Sequence, residues 1–265
     1  MAFAAALVAA GVVAGLLAGL FGIGGGAVLV PVFYQTYGLL GIDDAVRMHV
    51  AVGSSLAIII PTSLRSFAAH HAKGAVDMAV LKAFIVPVTA GVVLASLIAA
   101  SISSEGLRIV FALIAFAVAF KMLFNRASWV IGSQLPGPVG TSVAGVAIGV
   151  ISALMGIGGG VLNNTFMTLY GRPIHQAVAT SAGVGVLISV PGIFGYMWAG
   201  WGAAGLPPVS TGYVNWLTVA LIIPVTLLVA PYGAQLAHQW PKRRLEIGFG
   251  LFLLFVGARF LWSLL

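Results

Sequence analysis

The chain has 265 residues, of which 61% are hydrophobic and 6% charged, with a mean hydropathy of +1.13. A soluble domain carries about 25% charged residues, so water is not this chain's solvent, and a length that accommodates roughly ten segments of about 20 apolar residues leaves no separate soluble domain. The net charge of +7, from 12 Lys+Arg against 5 Asp+Glu, reads as loop charge under the positive-inside rule and not as nucleic-acid binding, while the absence of cysteine excludes disulfides, thiolate metal sites and thiol redox chemistry.

Apolar runs predict ten segments. The first, 2–21, lacks the basic start of a signal peptide and reads as a span. It runs into the glycine-rich break Phe21-Gly22-Ile23-Gly24-Gly25-Gly26, after which 26–40 is short for a crossing. Segment 46–66 carries His49, Ser54 and Ser55 near its start and Arg65 at its end. Segment 78–100 has Pro87 at its middle, which is expected to kink it. Segment 106–124 ends near Lys121, placed to snorkel to the interface. Segment 138–155 leads into a second break, Met155-Gly156-Ile157-Gly158-Gly159-Gly160, and the short 160–170 opens with Asn163, Asn164 and Thr165. Segment 176–199 has Thr180 and Ser181 near its start, 213–236 contains Pro224, and 244–264 ends near Arg259.

The two halves repeat each other. Besides the breaks, Ile85-Val86-Pro87-Val88-Thr89 recurs as Ile222-Ile223-Pro224-Val225-Thr226, and 107–124 recurs at 245–262 with Lys121 matching Arg259. Residues 1–130 and 131–265 are therefore expected to be two membrane repeats of five segments each. An odd number of crossings per repeat inverts the second relative to the first. Loop charge agrees: His70, His71, Lys73 and Lys82 flank one loop, Lys121 and Arg126 precede the joint, and Lys242, Arg243 and Arg244 follow the ninth segment. Placing all three clusters in the cytoplasm puts both termini outside and the halves antiparallel. The expected fold class is an all-α polytopic membrane protein with an inverted repeat, some segments being short or re-entrant.

A helix broken inside apolar sequence frees backbone groups that need partners. Each break is followed by a helix start, whose N–H groups and positive dipole end suit an anion. Gly24, Gly25, Gly26, Gly158, Gly159 and Gly160 are thus candidate substrate-binding positions, against the reading in which the glycines only allow close packing. Asn163 and Asn164 either donate to substrate oxygens or tie the broken backbone together. Ser54, Ser55, Thr180 and Ser181 are further candidates, although hydroxyls in membrane helices also bond back to their own carbonyls. His49 is the histidine placed to carry a coupled proton, and Arg65 is a candidate anion entrance or a positive-inside anchor. All five acidic residues, Asp43, Asp44, Asp77, Glu105 and Glu246, fall in loops or at segment ends. Cation carriers commonly depend on intramembrane carboxylates, so an anionic substrate is favoured. No cofactor or metal site is expected. The partners expected are a small anion and the lipid bilayer, with homo-oligomer formation left open.

The same residues resemble those of the TauE/SafE family of sulfite exporters and related carriers. The likeness rests on Leu20-Phe21-Gly22-Ile23-Gly24-Gly25-Gly26 with Pro31, on Ala51-Val52-Gly53-Ser54-Ser55-Leu56-Ala57, on the region from His70 to Asp77, and on the second break through Ala179-Thr180-Ser181. It spans essentially the whole chain. The resemblance implies a multi-pass transporter of the cell membrane, not an enzyme, carrying sulfite, thiosulfate, sulfonates such as sulfoacetate, or other small organic anions. Export by alternating access is the expected mode. The alternatives are a passive anion channel and a membrane-embedded serine hydrolase using Ser54 or Ser55 with a histidine. The second half carries Asn163-Asn164 where the first has Leu29-Val30.

Overall fold

The computed structural model describes residues 2–21, 26–124 and 130–264. The predicted apolar runs form helices α1 (Ala2–Phe21), α2 (Gly26–Leu39), α3 (Asp44–Ala72), α4 (Met78–Ser101), α5 (Ser104–Phe124), α6 (Pro138–Met155), α7 (Gly160–Leu169), α8 (Ile174–Ala199), α9 (Trp216–His238) and α10 (Lys242–Trp262). Among the described residues, six helices are long and apolar enough to cross a membrane: α3, α4, α5, α6, α8 and α10. The chain is an all-α polytopic membrane protein.

Two elements depart from the sequence expectation. Helix α3 starts early, where Asp43 caps it, its Oδ1 accepting from Ala45 N at 3.0 Å, and it runs well past residue 66 because no breaker intervenes before Gly74 at φ +63°. Arg65 is therefore an exposed residue within the helix and does not close it. The second is a hairpin of β1 (Ser210–Thr211) and β2 (Val214–Asn215) in the segment joining α8 to α9. Helix α4 passes through Pro87 as one element.

Helices α3 and α8 pack together at the centre, α1 lies along α9, α4 along α6, and α5 along α10. Helices α2 and α7 have 14 and 10 residues. At 1.5 Å per residue they span about 21 and 15 Å, short of about 30 Å of hydrocarbon. Each returns toward the end from which the preceding helix set out. Ile131 N, ahead of α6, donates to Leu169 O at the end of α7 at 2.8 Å. On that same face Arg172 lies 3.8 Å from Asp77 in the α3–α4 turn, and Arg243 donates to the Met122 and Leu123 carbonyls at the end of α5.

The α1–α2 pair opens to the opposite face. Gly11 faces Ile222 and Gly15 faces Thr226 and Val229, so α1 runs in the same direction as α9, and Tyr37 OH near the end of α2 donates to Thr218 Oγ1 at the start of α9 at 2.8 Å. The end of α2 is held there by an ion pair between a buried arginine and a half-exposed aspartate. Arg108 of α5, 2% exposed, donates to Asp44 Oδ2 and to Tyr34 OH, each at 2.8 Å, and to Ser263 Oγ at 2.9 Å.

Candidate functional site

The start of α2 and the α6–α7 turn meet beside α3, and the same turn reaches α8. Gly26 sits so tightly against the α6–α7 turn that a Cβ would overlap the Gly156 carbonyl oxygen and lie 2.7 Å from Ile157 Cα. Gly156 ends α6 at φ +64° and Gly159 is the N-cap of α7 at φ +71°, conformations that glycine adopts without a Cβ clash. Ser55 Oγ on α3 donates to Gly156 O at 2.9 Å. Gly158 faces Ile59 and Ser63 of α3 and Gly185 of α8, and Gly159 faces Val184 and Ile188. The candidates Gly24 and Gly25 lie outside the described residues.

Besides Ser55 and Ser63 of α3, the polar groups described at the junction belong to the second half. Gly159 supplies no side-chain cap, so among the described residues the N–H groups of Gly160, Val161 and Leu162 have no acceptor, the orphan donors expected of a helix start. Ser152 on α6, fully buried, has an Oγ without a partner among the described residues. That oxygen lies 3.6 Å from where a Cβ of Gly159 would stand, beside the α7 start. One turn on, Asn163, 0% exposed, donates through Nδ2 to Ser181 Oγ at 2.7 Å, and Ser181 Oγ donates to Asn164 Oδ1 at 2.7 Å. All five carboxylates stand elsewhere: Asp43 and Asp77 cap helices, and Asp44, Glu105 and Glu246 lie near helix starts. The junction therefore combines oriented N–H and O–H donors with low-dielectric walls and no opposing negative charge, which are the conditions that stabilise a buried anion.

The family model for the sulfite exporter TauE/SafE matches residues 7–260. The chain belongs to that family. It is 30% identical over 237 residues to a probable membrane transporter protein of Haemophilus influenzae, covering 89% of this chain and 90% of the other. A probable membrane transporter protein of Methanocaldococcus jannaschii is 29% identical over 230 residues, 86% of this chain and 84% of that one. Another from Bacillus subtilis is 26% identical over 263 residues, 92% of each. No solved structure matches. The chain is thus a multi-pass membrane transporter of the cell membrane, and its family and relatives are transporters, not enzymes.

The remaining candidates divide between the two faces. Toward the face of the α1–α2 pair, the β1–β2 hairpin folds onto α3 as a lid. Asn215 N donates to Ser54 Oγ at 3.0 Å, and Tyr37 OH lies 3.4 Å from the same oxygen. Gly53 admits the Tyr213 backbone where a Cβ would overlap Tyr213 O. The Tyr213 ring stacks on His49 at 4.6 Å. Burial pushes the Tyr213 phenol up from its ordinary pKa, so the ring stays neutral at physiological pH. His49 Nε2 lies 3.1 Å from Ala99 O, in the lid contact and away from the break. Among the described residues neither Ser54 nor Ser55 bonds to a histidine, so the pairing a serine nucleophile requires is missing.

Toward the other face, Thr180 Oγ1 accepts from Asp77 N at 2.9 Å and donates to Gln176 O at 2.8 Å, a tie between α8 and the α3–α4 turn. Lys121 Nζ donates to Thr165 Oγ1 at 2.6 Å, joining α5 to α7 where the sequence suggested a residue reaching for the interface. Sequence reasoning missed Ser152, Ser63 and the lid residues Tyr213 and Asn215. A serine one turn before the Gly156 break was a signal available for the first; nothing local marks the others. A separate cavity of about 500 Å³ between α1, α2 and α10, lined by Val13, Pro31, Phe252, Phe255 and Phe260 with Arg259 at its side, is apolar and offers an anion little.

Proposed function

We propose that this transporter is a secondary carrier of small anions, most fittingly sulfur-containing oxyanions or sulfonates of the sulfite, thiosulfate and sulfoacetate class, bound where the two broken helix pairs meet. The observation that carries the reading is the partly buried α7 start, with free N–H groups and the fully buried, unpartnered Ser152 hydroxyl in a junction without carboxylates. Gly26, Gly158, Gly159 and Gly160 shape that junction, Asn163, Asn164 and Ser181 extend it, and Ser55 braces its turn. Residues 1–130 and 131–265 act as two inverted repeats. This is supported by hairpin pairs that open to opposite faces and by matched packing, α1 on α9 and α6 on α4. With the basic loops in the cytoplasm, the β1–β2 lid closes the outer side, and alternating access consists of opening that lid while the cytoplasmic side closes. An inside-negative potential favours export of an anion by about 2.3 kcal/mol per charge per 100 mV.

The test is flux in liposomes. Protein-containing vesicles are expected to move radiolabelled sulfite, thiosulfate or sulfoacetate down an imposed gradient and to exchange it faster when unlabelled anion is present on the far side. Vesicles that behave like empty ones toward all three, under every gradient, would refute the substrate class. Currents far above carrier turnover with no trans-stimulation would replace a carrier by a channel.

A further inference from the structure

We infer that Asn163 makes the junction selective for an oxyanion that carries its own hydroxyl proton, in the sulfur series hydrogen sulfite in its O–H form; the inference rests on the anion-carrier reading above. The polarity of the amide follows from its neighbours. Ser181 Oγ gives its one proton to Asn164 Oδ1, so its contact with Asn163 at 2.7 Å must be accepted from Asn163 Nδ2. The remaining Nδ2 proton points to Met167 Sδ at 3.5 Å, a weak acceptor that would oppose the oxygen if the amide were turned over. Asn163 Oδ1 is therefore the amide atom left over, and it is fully buried with no donor among the described residues. A buried acceptor without a donor is a feature that a native structure resolves with a bound group.

The two kinds of unpartnered atom read different parts of one ligand. The N–H groups at the start of α7 and the Ser152 hydroxyl supply donors for charged oxygens. Oδ1 needs a donor, which a fully deprotonated oxyanion lacks. Such an anion leaves Oδ1 unpaired or sets it against a negative oxygen, whereas a singly protonated one satisfies both sets. Sites built to bond a ligand O–H discriminate strongly against analogues without it, because the protein group is left unpaired. For one buried acceptor that amounts to about tenfold or more in affinity.

Calorimetric titration of the purified full chain with sulfite, methanesulfonate and sulfate, across the pH range in which sulfite loses its last proton, tests this. The wild type is expected to bind hydrogen sulfite about tenfold or more tightly than the two anions without an O–H. Its affinity for total sulfite should fall about tenfold per pH unit once the deprotonated form dominates. Asn163→Leu should narrow the sulfite-to-methanesulfonate ratio to about threefold or less, whereas Ser152→Ala should weaken all three anions alike and keep the ratio. The wild-type series needs no variant, so misfolding of Asn163→Leu does not remove the test. Equal wild-type affinity for hydrogen sulfite and methanesulfonate would overturn the selectivity and leave the carrier standing. So would a requirement for Na⁺ over K⁺ without pH dependence, which would put a cation at Oδ1. Failure of all three to bind, together with no flux in liposomes, would remove both.

Discussion

Replacing Gly26 by alanine tests whether the two hairpin pairs meet as described. The added Cβ would overlap Gly156 O and stand 2.7 Å from Ile157 Cα and 2.9 Å from Ile59 Cδ1, where carbon atoms prefer about 3.5–4.0 Å. The Ile59 methyl can swing aside, but two of the three obstacles are backbone. The pairs must therefore separate by close to 1 Å. Overpacking of this kind costs about 1–3 kcal/mol, and with backbone on both sides the upper end applies. At about 2–4 °C per kcal/mol for a chain near this size, the expected loss is about 6–12 °C in Tm, read by tryptophan fluorescence of the detergent-solubilised protein, with flux lost in liposomes. Gly158→Ala is the control. Its Cβ meets only Ile59 Cγ2 at 3.2 Å, Gly185 Cα at 3.6 Å and Ser63 Oγ at 3.8 Å, and it should cost about 1 kcal/mol or less. Equal melting temperatures for Gly26→Ala, Gly158→Ala and wild type would refute the close approach.

Three further outcomes follow from the lid and the ion pair. Asn215→Ala strips the lid of four side-chain bonds, to Thr218 N and Oγ1, Pro208 O and Ser210 Oγ; about 2–4 kcal/mol should be lost, and a Ser54→Cys reporter in this cysteine-free chain should react faster with an impermeant maleimide in the Asn215→Ala background than without it. Asp44→Asn should cost more than Arg108→Met, because the first leaves a buried guanidinium unpaired at about 3–5 kcal/mol, while the second leaves Asp44 still held by Arg47 at 3.1 Å; the reverse order in thermal unfolding would contradict the pair as drawn. Val209, a β-branched residue at φ +61° just before the lid strands, should yield about 1 kcal/mol of stability on replacement by glycine, seen as a Tm higher by about 2–4 °C.

The parts of this fold that the sequence made legible are those set by local signals. Helix α4 begins where Asp77 can cap it, and α6 ends and α7 begins at glycines with positive φ, so composition and turn chemistry located them. Helix α3 outruns its apolar stretch because no breaker follows Arg65, and a polar final turn is invisible to a hydropathy reading. The lid was not legible, since 200–212 reads as an uncharged loop and 213–215 as the start of the next apolar segment. Its value comes from contacts such as Asn215 with Ser54, 161 residues apart. For the same reason Ser54 resembled a ligand to the anion when its oxygen is engaged by the lid, whereas its neighbour Ser55 does face the break.

That adjacency has a mechanical consequence for the proposed carrier. Ser54 accepts from the lid and Ser55 donates to Gly156 O of the second break, so consecutive residues of α3 grip the outer cover and the anion junction. A shift of α3 that frees the lid must also pull on the turn preceding Gly159 and the α7 start. The lid, Ser152, Asn163 and Asn164 all belong to the second half, while the first half presents Gly26 and Val30 to that turn. The first hairpin thus acts as a wall and α3 as the link between ligand and lid. Ser55→Ala is expected to uncouple them: anion binding to the purified protein should persist with affinity reduced by about threefold to tenfold, as for the loss of one hydrogen bond, but should no longer change maleimide access at position 54. Ligand-dependent access preserved in the Ser55→Ala variant would show that the coupling runs through another element.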